Sequence, residues 1–417
     1  MSLNQDLVAS LRTQFPALQR TLRGQPVVYF DGPAGTQVPV CVIEEISNYL
    51  ARHNANHDGQ FLTSVESDAM LDEAHRAVSE FLGADDPACV YFGPNMTTLT
   101  FALSRSLGRT WSADDEVLVT RLDHDANVTP WVLAARDAGA TVRYVEIHHE
   151  DCTLDMDDLR SKLSSRTRLV AVGCASNSVG TVNPVREIAS LAREVGAVSF
   201  LDAVHYAPHA QIDVNSFGCD FLACSAYKFF GPHIGMIWGR RALLEELEPY
   251  KVRPAADALP EAWMTGTQNH ECIAGVLAAI NYLAELGRVA SGDETAGRRA
   301  ALTHAYTAIG EYETELFDVL LRGLMQIDTI TVYGITDPSR MSERLPTVSI
   351  RHRSISSQEL AQKLGNAGIF VWDGNYYALQ LTETLGLEPD GMVRIGLVHY
   401  NTVEEVHRLL EVLAAIP

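Results

Sequence analysis

Several features are missing from this chain of 417 residues, and each absence removes a class of function. The seven cysteines (Cys41, Cys89, Cys152, Cys174, Cys219, Cys224 and Cys272) are odd in number and form no CxxC pair. Neither a disulfide frame nor a zinc site is expected from them, and no metal site is assigned. They read as reduced, mostly buried thiols of a cytoplasmic protein. Basic residues are scarce: 32 Lys and Arg face 53 Asp and Glu, for a formal net charge of -21. With no basic stripe, a nucleic-acid partner is not expected, because backbone phosphates are held by clustered Lys and Arg. No apolar run approaches the roughly 20 residues that span a bilayer, so no membrane span is expected. The opening MSLNQDLVASLRTQFPAL lacks the basic stretch and apolar run of a secretory signal. GxGxxG and GxxxxGK[ST] are absent too, which removes the dinucleotide and P-loop readings.

What is present is ordinary globular composition, 47% hydrophobic and 20% charged. The length suggests more than one domain. After an amphipathic N-terminal segment with Leu7, Leu11 and Phe15 at helical spacing, VVYFDGPAGTQVP (27–39) runs from a short strand into a Gly/Pro loop. Strands are predicted at 88–92, 116–120, 141–147, 168–176, 197–204, 221–226 and 235–239. Helices of 8–12 residues lie between several of them, as at 70–82, 130–138, 156–164 and 186–195. That alternation predicts a mostly parallel sheet covered on both faces. Helices at 270–286 and 298–323 follow, then strands at 330–334, 347–352, 369–373 and 392–398 with helices at 356–366 and 402–415, a smaller α+β unit. The expected division is an N-terminal segment 1–27 packing with the small domain, a large domain 28–285 and a small domain 286–417.

Ligands in open α/β sheets sit beyond the carboxyl ends of the strands. In FLACSAYKFFGPHIGMIWG (221–239), Lys228 follows a strand inside an aromatic, glycine-rich turn and is the only Lys or Arg between Arg193 and Arg240. A desolvated lysine has a lowered pKa, as a Schiff-base amine requires. Alone, the segment fits a surface lysine about as well. In SFLDAVHYAPH (199–209), Asp202 ends an apolar strand, where an acid is costly unless it faces a cation. A pyridinium nitrogen is such a cation, and helix capping is the plainer alternative. His205 is placed to reach a cofactor oxygen, or is a core histidine. In RLDHDANVTPW (121–131), His124 follows a strand and is placed to lie over a heteroaromatic ring. FGPNMTTLT (92–100) is a turn into a helix, where free N–H groups and hydroxyls suit a phosphate or simply form an N-cap. Ser225 is a further phosphate candidate.

The order is more telling than any one piece: phosphate turn, stacking histidine, acid after a strand, then lysine about 25 residues later. The stretches YFDGPAGTQVP, LDHDANVTPW, SNSVGTVNPV, LDAVHYAPHAQIDV, CSAYKFFGPHIGMIWG and MVRIGLVHYNTVEEV together resemble the class V aminotransferase group of fold-type I pyridoxal-phosphate enzymes, most nearly its cysteine desulfurase and selenocysteine lyase branch. The resemblance runs from about residue 28 to the C-terminus. It implies pyridoxal 5'-phosphate bound as a Schiff base to Lys228, with Asp202 on the pyridine nitrogen and His124 on the ring. It implies that Met96, Thr97, Ser225 and Tyr227 hold the phosphate and that Asn177 and Arg394 receive the carboxylate of an amino-acid substrate. It also implies a homodimer in which Thr267 reaches the phosphate of the partner subunit.

The departures bear on activity. Desulfurases of this branch take sulfur onto a cysteine in the loop before the MVRIGLV-like strand. The corresponding DGNYYALQLTETLGLEPDG (373–391) has no cysteine, and Tyr377 falls near that place. His205 stands where the branch has a glutamine, and Tyr227 where it has a histidine. The first expectation is therefore C–S or C–Se cleavage of a cysteine-like amino acid, with a sulfur-acceptor protein left open. The alternatives are an epimerase or racemase with His205, Tyr376 or Tyr377 as second acid/base, an aminotransferase, and a non-catalytic cofactor-binding protein.

Overall fold

Strands that bury both faces should read as nearly unbroken apolar runs, and those are the runs that build the larger sheet. A computed structural model describes residues 3–417. Its seven-stranded sheet comprises β1 (Val90–Gly93), β2 (Glu116–Thr120), β3 (Thr141–Val145), β4 (Thr167–Gly173), β5 (Val198–Asp202), β6 (Phe221–Ser225) and β7 (Gly235–Gly239). Their order across the sheet is β1-β7-β6-β5-β4-β2-β3. Alternate side chains enter two different cores. Leu118, Val170, Leu201 and Leu222 face one, while Val117, Leu169, Phe200 and Phe221 face the other.

All strands run parallel except β7, which pairs antiparallel with both neighbours. The cause is the length of its connection. Only nine residues, 226–234, separate β6 from β7, too few for a crossover that needs a dozen or more. The chain turns straight back, and Lys228 lies in that turn.

The second sheet holds β8 (Ile330–Tyr333), β9 (Thr347–His352), β10 (Trp372–Gly374) and β11 (Met392–Gly396) in the order β8-β9-β11-β10. The run expected as one strand at 369–373 is divided. Ile369–Phe370 pairs with Val28–Tyr29, whereas Trp372–Gly374 joins β11. The N-terminal helix, Gln5–Arg12, is shorter than its pattern suggests, and Pro16 opens a separate 3-10 turn.

Helix Arg298–Leu324 belongs to both cores. Ala301, Leu302 and Ile309 pack with the large sheet, and Leu316, Phe317 and Leu320 pack with the small one. Helix His270–Ser291 is, by length and composition, apolar enough to cross a membrane, which the sequence reading did not anticipate. It packs against helices Val40–Asn48, Leu62–Leu82 and Arg298–Leu324, and its hydropathy is that of a core helix. It meets Arg298–Leu324 at Gly287, where a Cβ atom would fall on the backbone carbonyl of Ala301. Gly287→Val is expected to lower stability by about 1–3 kcal/mol or more, the cost of overpacking a close contact. A drop in the urea midpoint of the purified variant checks this.

Candidate active site

Five strands deliver residues to one cavity at the carboxyl edge of the large sheet. The turn after β1 starts helix Met96–Gly108, whose N-cap Asn95 accepts the Thr98 N–H at 2.8 Å. The first-turn N–H groups of a helix have no intrahelical partners. Here the Met96 N–H donates to Ser225 Oγ at 3.1 Å, and Thr97 stands exposed beside it. Gly235 makes this approach possible, because a Cβ there would overlap the Asn95 backbone. A phosphate fits this cradle, which combines a helix N-terminus, a serine hydroxyl and a threonine hydroxyl.

After β2, Asp123 and His124 turn into the same cavity. His124 Nδ1 accepts the Ala126 N–H at 3.0 Å, which leaves the ring proton on Nε2. Burial, with Lys228 and Arg394 nearby, pushes its pKa down to about 3, so the ring is neutral. Asp202 ends β5, and its carboxylate accepts the Val204 N–H at 2.8 Å. Burial raises Asp202 to about 6, against the pull of that N–H and of Lys228. A pyridinium nitrogen would supply the cation this acid lacks.

Lys228 Nζ donates to the Pro33 carbonyl and, at 3.0 Å, to that of Ala34. Burial and the neighbouring Arg394 lower its pKa to about 7, while Asp202 and Asp31 act in the opposite direction. Near neutrality a large share of such amines is unprotonated and nucleophilic. Tyr227, one residue earlier, stacks on His233 with ring centroids 5.1 Å apart.

Arg394, on β11, reaches across from the small sheet and donates to the Asn177 carbonyl at 2.9 Å. Its guanidinium lies 4.4 Å from the centre of the Tyr376 ring. The Asn177 side chain donates to the Tyr376 carbonyl at 3.0 Å. Tyr376 and Tyr377 both hold left-handed backbone, φ 53° and 61°, a conformation that costs energy outside glycine and must be held by its surroundings. Asn177 holds Tyr376, and the Asp125 N–H, donating to the Tyr377 carbonyl at 2.7 Å, holds Tyr377. The Tyr377 ring, 72% exposed, stacks on His124 at 5.4 Å.

Met96, Thr97, His124, Asn177, Asp202, His205, Ser225, Tyr227 and Lys228 thus line one cavity, with Arg394 joined to it through Asn177. Thr267 is not brought in. It is exposed in the loop before helix His270–Ser291.

Two acids were missed by the sequence reading. Asp123 is buried, accepts the Gly173 N–H at 2.6 Å and the Thr120 hydroxyl at 2.9 Å, and is raised to about 7, chiefly by burial and partly by Asp202. It sits next to His124, and no apolar run ending at Asp123 marks it in the sequence. Asp31 is raised to about 6 by burial, with Arg394 and Lys228 opposing. It follows the apolar VVYF, and an acid after a buried strand is the same signal that marks Asp202.

The chain matches the aminotransferase class-V family over residues 28–409, and it belongs to that family. It is 32% identical to the aminotransferase-like protein FGM3 of Gibberella zeae, with both chains covered in full. It is 30% identical to a probable cysteine desulfurase of Synechocystis sp. and to a cysteine desulfurase of Yersinia pestis, over 98% of this chain and 95% and 98% of theirs. Among solved structures, the apo cysteine desulfurase of Thermococcus onnurineus matches with a TM-score of 0.87 at 25% identity over 97% of each chain. The cysteine desulfurase CsdA of Escherichia coli matches in fold with a TM-score of 0.82.

An amine-directed reagent applied to the cofactor-free protein at graded pH should label Lys228 with a midpoint near 7. Arg394→Leu should move that midpoint up, because the repelling cation is gone. Peptide mapping of the labelled protein reads both, and a midpoint near the ordinary lysine value would contradict the electrostatics described.

Proposed function

We propose that the chain binds pyridoxal 5'-phosphate as a Schiff base on Lys228 and cleaves the C–S or C–Se bond of a cysteine-like amino acid. The observation that carries this reading is the meeting of Lys228, Asp202 and His124 in one cavity, beside an anion cradle, in a member of the aminotransferase class-V family. The bound cofactor supplies an electron sink for the pair of electrons left when the substrate Cα–H bond breaks.

The chain's own residues do the rest. Met96, Thr97 and Ser225 fit the phosphate, with Tyr227 at the edge of the same turn. Asp202 keeps the ring nitrogen protonated, and neutral His124 packs on the ring without adding a second cation. Lys228 is the base that removes the Cα proton and the acid that returns one, a role suited to an amine with pKa near 7. Arg394 and Asn177 hold the substrate carboxylate, since a guanidinium fork matches it with two hydrogen bonds.

The loop 373–391 contains no thiol, and Tyr377 occupies its site-facing turn. Sulfur therefore leaves to a soluble thiol or an acceptor protein, not to a cysteine of this loop. A homodimer is also proposed, with Thr267 serving the partner's cavity. Its support is a cluster of exposed apolar residues at the start of one helix, Phe61 at 58%, Leu62 at 72% and Val65 at 56%, more than singly scattered surface apolar residues explain.

Cofactor-loaded protein given L-cysteine or L-selenocysteine with a reducing thiol should release sulfide or selenide together with alanine, and Lys228→Ala should release none. Arg394→Leu should raise KM about 10- to 100-fold, the equivalent of a charge-assisted hydrogen bond. Turnover of other amino acids with no sulfide from cysteine would overturn the C–S reading. Replacing Leu62 and Val65 by Asp should shift the mass measured by light scattering from dimer to monomer.

A further inference from the structure

Behind the cavity lies a buried polar cluster that the proposed chemistry does not use. Glu313 sits in the middle of helix Arg298–Leu324, 2% exposed. Its Oε2 is 2.8 Å from His209 Nδ1, and neither side chain reaches solvent. A buried carboxylate on a helix is costly without a reason to be there. The His209 ring stands 5.5 Å from that of His205, at 70°, and His205 lines the cavity. His209 Nε2 and both ring nitrogens of His205 have no hydrogen-bond partner, although buried polar atoms almost always find one.

Burial raises the Glu313 pKa, with His209 the leading opposing influence, so the pair readily keeps one proton between its two atoms. Raised proton affinity places that proton on Glu313, so His209 accepts it on Nδ1 and carries its own N–H on Nε2. Burial, and then His209, Arg394 and Lys228, hold the His205 pKa well below its usual value, so His205 is neutral and has one N–H. If it accepts from His209 on one nitrogen, it must donate from the other, toward the cavity. The remaining titratable groups facing the cluster are His399, whose Nε2 is 2.7 Å from the Tyr282 hydroxyl, and Tyr306 and Tyr312 on the helix of Glu313.

We propose that Glu313, His209 and His205 form a buried relay of fixed polarity, which holds His205 as a hydrogen-bond donor to the phenolic oxygen of the cofactor. This rests on the reading of the cavity as a pyridoxal-phosphate site. Glu313 and His209 are then positioning residues that act through His205. A donor on that oxygen stabilises its anionic form, so the cofactor bound on Lys228 loses its proton at lower pH than it would without the relay.

The test is a pH titration of the long-wavelength absorbance of the reconstituted protein. Glu313→Leu and His205→Leu should each raise the midpoint by about one pH unit, the size expected for one hydrogen bond. The double variant should shift no further than either single one, because the residues act as one chain. His205→Gln restores a donor amide and should return the midpoint close to that of the unaltered protein. Should Glu313→Leu fail to fold, His209→Phe interrupts the same relay and carries the same expectation. An unchanged midpoint in folded variants that still form the band overturns the relay alone. Absence of the band in the unaltered protein overturns the cofactor reading, and the relay with it.

Discussion

Holding charged side chains out of water is the constraint on which this site depends. Lys228 in the cavity and Arg394 beside it are both desolvated, and Arg394 adds to burial in lowering the proton affinity of Lys228. Asp202 and Asp31 offset them in part, and Asp123 lies beside Asp202. Desolvating an ion costs several kcal/mol in a protein interior unless close partners replace water. The partners here are incomplete. Lys228 is held by backbone carbonyls, and Asp202 by a single N–H. An arrangement tuned only for stability would pair the amine tightly with an acid. This one keeps its lysine near neutrality and its acid ready for another cation, which is what a site awaiting a charged aromatic cofactor requires.

The fold serves that constraint through the ends of its strands. β1, β2, β5 and β6 each stop at the cavity, and the residues just beyond them hold the chemistry. The short link from β6 to β7 makes β7 the one antiparallel strand of the large sheet and places Lys228 in a tight turn over the Pro33 and Ala34 carbonyls. Arg394 comes from the other sheet and meets Asn177 across the gap. Helix Arg298–Leu324 ties both cores together and carries Glu313 into the space behind His205.

Much of this was legible because the signals are local. β2, β7 and β9 have the boundaries that their apolar runs suggest, and Lys228, Asp202 and His124 each follow a strand within a few residues. What escaped the sequence depends on long-range packing. The apolar run at 369–373 serves two different sheet edges, and nothing in five residues encodes that choice. His270–Ser291 reads as a helix, but its length was set by burial on several sides and not by a stop signal near residue 286. Glu313 looks like any solvated glutamate of an amphipathic helix, and only the fold puts it against His209. The left-handed turn at Tyr376 and Tyr377 is likewise invisible, since tyrosine is a poor predictor of positive φ and the turn is held by Asn177 and Asp125 from far away in sequence.

Lys228 is the residue proposed to bind the cofactor covalently. The chain has four lysines, Lys162, Lys228, Lys251 and Lys363, so three serve as internal controls. Protein loaded with pyridoxal 5'-phosphate should be reduced with borohydride, digested and mapped by mass spectrometry. A pyridoxyl group on the peptide containing Lys228, at one per chain and absent from the other three, is the predicted result. Labelling spread over Lys162, Lys251 or Lys363, with Lys228 unmodified, would contradict the account.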